Sequence, residues 1–153
     1  MAVEEFCRRH DLRNVSFRPY CDRELLGEEL GKADIGLVTQ REECLGSIVP
    51  SKVYGLMAAG RPFLFIGPRA STPSRIADGH GCGWQVDCGD STAVIKLLTR
   101  LIDQPELMRH AGYRARSVFI QEYDRPAGTA RISMVLGATR PAVKYTTAGA
   151  SGD

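Results

Sequence analysis

Three short runs of this chain, Ile35-Gly-Leu-Val38, Phe63-Leu-Phe-Ile66 and Trp84-Gln-Val86, are almost uniformly apolar and alternate with stretches of helical spacing. A strand with one wet face alternates apolar and polar residues, so a run that loses the alternation is expected to be buried on both faces. A parallel sheet covered by helices meets that demand, and the expected class is α/β. Helices are expected from Ala2 to Asp11, with Val3, Phe6 and Cys7 at helical spacing, and from a cap at Asp22 to about Lys32, with Leu25, Leu26 and Leu30 inward. Another runs from Pro50 to a stop at Gly60, and a brief one from Thr72 through Ile76 and Ala77. Asp90 caps the clearest amphipathic helix, with Val94, Leu97, Leu98, Leu101 and Ile102 on one stripe. Pro105 opens a helix with Leu107, Met108 and Ala111 as its apolar face, and a last helix follows Pro126 to Leu136. Asn14 to Phe17 is a β-prone run and an expected early strand. Residues 1–137 read as one domain, and residues 138–153, small, polar or proline, as a disordered tail.

Bulk properties narrow the function. At 153 residues and 43% hydrophobic, the chain can bury a real core as one domain. The net charge is +2 with its basic residues scattered, so no nucleic-acid partner is expected. No apolar run approaches the roughly 20 residues that span a bilayer, and the acidic start Met-Ala-Val-Glu-Glu is unlike a signal peptide. The expected location is cytoplasmic. Five cysteines, Cys7, Cys21, Cys44, Cys82 and Cys88, are odd in number and lack C-x-x-C spacing, which argues against a disulfide framework. Cys82 and Cys88 near His80 raise a metal site, but small buried apolar residues are the better account, and no metal is expected.

The segment from Gly46 to Ile66 carries the functional signal. Pro50 has no N–H and a preset φ, so Pro50-Ser51-Lys52 is a natural helix start, with the Ser51 hydroxyl available to cap free amides. Lys52 has the wrong sign for the helix dipole there, a mismatch that a bound anion reverses. Amides, a hydroxyl and an ammonium at one helix start suit a diphosphate. Residues Thr39 to Lys52 follow the strand ending at Val38, and in open α/β sheets ligands bind beyond the carboxyl ends of the strands. An ordinary solvated helix start is the competing reading.

Five markers in order, Asn14-Val-Ser-Phe-Arg-Pro-Tyr20, Ala33-Asp-Ile-Gly-Leu-Val38, Pro50-Ser-Lys-Val-Tyr54, Ala58-Ala-Gly-Arg-Pro62 and Gly83-Trp-Gln-Val-Asp-Cys-Gly-Asp90, give the chain its resemblance. From about Ala2 to Val135 it resembles the carboxyl-terminal half of the GT-B fold of retaining family 4 glycosyltransferases. The Pro-Ser-Lys form looks like bacterial transferases of exopolysaccharide and O-antigen assembly, including the colanic acid and fucosamine group. The resemblance implies a Rossmann-like parallel sheet and a nucleotide-sugar donor such as a UDP- or GDP-sugar, with no other cofactor. Ser51 and Lys52 would hold the donor diphosphate, and Gly46-Ser47-Ile48-Val49 would lie along nucleotide and sugar. The acceptor, a glycan or lipid-linked sugar, would be bound by an amino-terminal domain absent here. A protein of this kind would be cytoplasmic, free or peripheral at the inner membrane face.

Departures from the pattern matter. Many family members grip the ribose with a glutamate where this chain has Gly55, and an earlier glutamate falls at Ser47. Glu42 and Glu43 are candidates to replace it; a solvated acidic loop is the alternative. The family's first strand, its phosphate loop and its second strand do not precede Met1, so Asn14 to Phe17 would be strand 3 of the order 3-2-1-4-5-6, with strands 4, 5 and 6 following. This predicts an incomplete half, completed by another chain or a homodimer and inactive alone. A non-catalytic remnant or interaction module is the second reading. A receiver-like domain is disfavoured, since Asp34 precedes its strand rather than ending it. The catalytic residues are unknown, and His10, His80 and His110 are expected to be surface or packing residues.

Overall fold

The computed structural model describes residues 2–137. The expected tail at 138–153 lies outside them. The element order is α1 (Ala2–Arg9), α2 (Leu26–Gly31), β1 (Gly36–Thr39), α3 (Lys52–Ala58), β2 (Phe63–Ile66), α4 (Thr72–His80), β3 (Gly83–Val86), α5 (Ser91–Asp103), α6 (Pro105–Val118) and α7 (Arg125–Val135). A 3-10 turn, Glu42–Cys44, interrupts the segment after β1, and a π-helical turn, Phe119–Tyr123, joins α6 to α7. The three strands form one parallel sheet in the order β1-β2-β3. The α/β class read from the apolar runs is the class observed.

Register sets which residues share a face. Gly36, Phe63 and Gly83 share one row of the register and Val38, Phe65 and Gln85 another, while Leu37, Leu64 and Trp84 form the row between them. Alternation therefore sends Val38, Phe63 and Phe65 to one face. There they join Val53, Leu56 and Met57 of α3, Ile76 and Ala77 of α4, and Ala115 of α6 in a buried core. On the other face Leu64 is buried, but Leu37 is 52% exposed on the outer strand.

The helix stops are local chemistry. α3 ends with Gly60 at φ +67°, the Gly60 N–H donating to the Met57 carbonyl and the Arg61 N–H to that of Leu56. This paired closure favours glycine at the left-handed position and explains the expected stop. Glycine also allows α6 to approach: a Cβ on Gly112 would lie 2.5 Å from the Gly60 carbonyl oxygen. Asp90 caps α5 as expected, its Oδ1 accepting from the Ala93 N–H at 2.9 Å.

Several expectations fail for identifiable reasons. Asn14 to Phe17 is not a strand: no described strand lies alongside it, and a strand without a ladder leaves its peptide groups to water. The helix expected from Asp22 shrinks to Leu26–Gly31, since Gly27 and Gly31 weaken it, and Leu25 and Leu26 are exposed. Asp22 contributes its main-chain carbonyl to the Leu25 N–H rather than a side-chain cap. Ser51 is in the helical region and makes no capping bond, because a capping side chain needs extended backbone at its own residue. Conversely, Ser71, in extended backbone, caps α4 through the Ser74 N–H, and that helix runs on to His80. Of the α5 stripe only Leu101 is buried, and Ile102 is 76% exposed, because the described neighbours cover only part of that face. All five cysteines are free; Cys7 and Cys82 are buried, but Cys88 is exposed and Cys21 and Cys44 half-buried, so burial accounts for only two.

Candidate functional site

The loop leaving the carboxyl end of β1 builds the site. Gln40 prolongs the ladder by one bond, its main-chain N–H donating to the Ile66 carbonyl at 3.0 Å. Its side chain is buried, and its Nε2 donates to the carbonyls of Cys44 at 3.0 Å and Ile48 at 2.8 Å. One amide thus ties the 3-10 turn and the later loop back onto the strand end. The Cys44 carbonyl also accepts from the Ser47 and Ile48 N–H groups, and Gly46 turns at φ +82°. The loop cannot swing away without breaking these bonds together.

Two cavities flank that tie. The larger, about 480 Å³, is walled by Thr39, Gln40, Arg41, Cys44, Ile48, Pro50, Ile66, Cys88 and Gly89. The smaller, about 240 Å³, is walled by Gln40, Leu45, Gly46, Ile48 and Val49 on one side and by Ala70, Ser71, Thr72 and Arg75 on the other. Both lie beyond the carboxyl ends of parallel strands, where loops gather. The start of α4, whose dipole and first-turn Arg75 favour an anion, forms one wall of the smaller cavity.

Charges around the site are partly committed. Arg69 is paired with Asp87 at 3.1 Å, whereas Arg41 and Arg75 line the cavities. Asp87 has its carboxyl held below the usual range first by the hydrogen bond from the Gln85 amide and then by that from Arg69. Cys88 donates its thiol to the Gln40 carbonyl at 3.4 Å. Its pKa is raised, first by desolvation and then by the negative charge of Glu42, with Glu43 and Asp87 adding to it.

The sequence-derived candidates divide accordingly. Ile48 and Val49 line the cavities, and Ser47 stands exposed between Gly46 and Ile48. Glu42 and Glu43 are exposed on the 3-10 turn, on the Cys88 side of the larger cavity. Ser51 and Lys52 are exposed at the start of α3, next to the cavity-lining Pro50, but line neither cavity themselves. Gly55 lies further along α3, against α2, where a Cβ would sit 3.2 Å from Leu30 Cδ1. Gln40 and Arg41 were not singled out in the sequence, and Cys88 was weighed there only as a metal ligand beside Cys82 and His80. The available signal for Gln40 was its position as the first polar side chain after Thr39 at a strand's carboxyl end. Among the described residues no group of three or more His, Cys, Asp or Glu side chains is placed to hold a metal ion, and no helix is long and apolar enough to cross a membrane.

Comparison with known proteins gives one informative similarity. Over 122 residues the chain is 33% identical to a protein of Pseudomonas aeruginosa named Probable glycosyltransferase WbjE. The match takes in 80% of this chain but 29% of that protein, so the chain spans less than a third of its relative. No family model matches the chain.

Proposed function

We propose that this chain is the donor-binding portion of a glycosyltransferase, the incomplete carboxyl-terminal half of a GT-B fold, that takes a nucleotide-sugar such as a UDP- or GDP-sugar. The observation that carries this reading is the Gln40-tethered loop, which frames two cavities at the carboxyl ends of parallel strands. The similarity to a protein named a glycosyltransferase supports the reaction class. In this reading Gly46 to Val49 lie along nucleotide and sugar, with Ser51 and Lys52 at the rim and Arg75 at the start of α4 receiving the diphosphate. During transfer the bond between the anomeric carbon and the diphosphate oxygen breaks, a new one forms to the oxygen of an acceptor hydroxyl, and the hydroxyl proton passes to the departing diphosphate. The cations would stabilise the charge that develops on the departing diphosphate, a preorganised electrostatic role. An acceptor domain outside this chain would bind the glycan or lipid-linked sugar at the cytoplasmic membrane face, and retention of anomeric configuration would follow the resemblance.

One observation favours a second reading, a remnant or interaction module without activity. Gly55 offers no side chain to a ribose and is packed against Leu30. Thermal shift separates the two readings. A ligand at a hundred times its dissociation constant adds about 2.7 kcal/mol. Wild-type chain should gain that stability from one of UDP, GDP, ADP or dTDP, and Lys52→Ala and Arg75→Ala should lose it. A folded chain that no nucleotide stabilises refutes donor binding by this chain alone and leaves the remnant or a fragment that needs its missing half.

A further inference from the structure

A third and larger cavity, about 650 Å³, lies at the opposite, amino-terminal end of the strands and does not depend on the proposed donor site. Its walls are the residues leading into β1 and β2 and the side of α6 that packs Gly112 against Gly60. Three arginines line it, Arg61, Arg109 and Arg116, against a single carboxylate, Asp34. Among the described residues, none of these four groups forms an ion pair. Arg116 donates through one guanidinium nitrogen to the Ala58 carbonyl at the end of α3, which fixes its direction. The Nε of Arg61 is sealed from solvent and has no acceptor.

This arrangement is unusual for surface arginines that merely dissolve. A guanidinium carries five donors, and a concave wall with three of them and one opposing carboxylate holds a net excess of positive charge. The wall is also stiff, because Gly112 of α6 has no room for even a Cβ against the Gly60 carbonyl. Pro62, Pro105 and Met108 add apolar surface beside the cations. We propose that this cavity is a second anion site, which takes a phosphate group through Arg61, Arg109 and Arg116. The fork of a guanidinium matches two phosphate oxygens. The phosphate is either free in solution or carried on a lipid headgroup, and the two sources separate experimentally.

The test follows backbone amide signals of the intact chain by NMR during titration with inorganic phosphate, beside sedimentation with vesicles of phosphatidylcholine alone or mixed with phosphatidylglycerol. Saturable shifts centred on Gly60, Arg61 and Gly112, weakened about tenfold or more in Arg61→Gln/Arg109→Gln, support a site for free phosphate. Sedimentation that requires phosphatidylglycerol and is lost in the same double variant supports a headgroup site. Asp34→Asn removes the opposing charge and should tighten phosphate binding, a gain that misfolding cannot produce. Lys52→Ala, at the other end of the sheet, should leave the Gly60 and Gly112 shifts intact. Absence of both saturable shifts and vesicle binding, or their survival in the double arginine variant, overturns the proposal.

Discussion

Replacing Gln40 tests the central claim about the site, that one buried amide holds the loop. In Gln40→Ala two side-chain hydrogen bonds vanish, each with a net value of about 1 kcal/mol. The loss is moderated on two counts. Cys44 keeps its carbonyl bonds from the Ser47 and Ile48 N–H groups, and the Gln40 Oε1, sealed without a donor, is removed as well. Lost burial of the side-chain methylenes adds roughly 1 kcal/mol, so the expected cost is about 2 kcal/mol. For a chain of this size that is a fall in Tm of roughly 6 °C.

Gln40→Glu sharpens the test because it keeps the volume and inverts the chemistry. A carboxylate there faces the Cys44 and Ile48 carbonyl oxygens with no donor at all, and burying an unpaired charge costs about 3 kcal/mol or more. The Glu variant should therefore melt below the Ala variant near neutral pH. Burial and the carbonyls raise the folded-state pKa of such a carboxyl above its unfolded value, so the folded state binds the extra proton. The gap between the two variants should narrow on acidification and widen as pH rises through the carboxylate range. Differential scanning calorimetry across pH reads this directly. Equal melting of the Glu and Ala variants at neutral pH would refute the claim that the amide points its nitrogen at those carbonyls.

Other consequences are as specific. Gly112→Ala places a Cβ 2.5 Å from the Gly60 carbonyl oxygen, a backbone atom that cannot rotate away, so urea unfolding should show a loss of about 1–3 kcal/mol, against a small gain for the uncrowded helical Gly128→Ala. Glu42→Gln removes a negative charge that raises the Cys88 pKa, so iodoacetamide should label Cys88 faster near neutral pH, while Cys82, pushed by burial up to about 11, stays unlabelled in the folded chain. Asp87, with its folded pKa depressed, contributes stability that is present above the unfolded carboxylate range and lost as pH falls through its lower folded value; Asp87→Asn should flatten that part of the acid limb of a stability curve. Hydrogen exchange should be faster at Leu37 and Thr39, whose peptides face away from β2, than at the central strand Phe63–Ile66.

What the sequence disclosed was local. Phe63–Ile66 matched its expected strand because a fully apolar run between a glycine stop and a glycine turn has few other uses. Gly60 and Asp90 were legible because their roles involve bonds within a few residues. Asn14 to Phe17 was misread for the opposite reason, since β-propensity becomes a strand only when another strand lies alongside. The site follows the same division. Ile48 and Val49 were named through the family resemblance, and they line the smaller cavity. Gln40 was not named, because its role is a pair of bonds to carbonyls four and eight residues on, which no spacing announces. The β1-β2-β3 order puts the loop after β2 beside the loop after β1, which makes the start of α4 a wall of the smaller cavity.

Completeness of the sheet and completeness of the site are physically linked through β1. Gly36 and Gln40 donate to the carbonyls of Pro62 and Ile66, so alternation turns the peptides of Leu37 and Thr39 toward the open edge. Leu37 is half exposed on a sheet face, an apolar cost that a further layer would remove. Thr39 is at once an open-edge residue and a wall of the larger cavity. A strand added along β1, from another chain or a second copy, would satisfy the edge peptides and bring its own carboxyl-end loop beside Arg41 and the Gln40-tethered turn. The same addition that closes the exposed ladder would thereby deepen the cavity, so affinity for a nucleotide and protection of the β1 amides should rise together when such a partner is supplied.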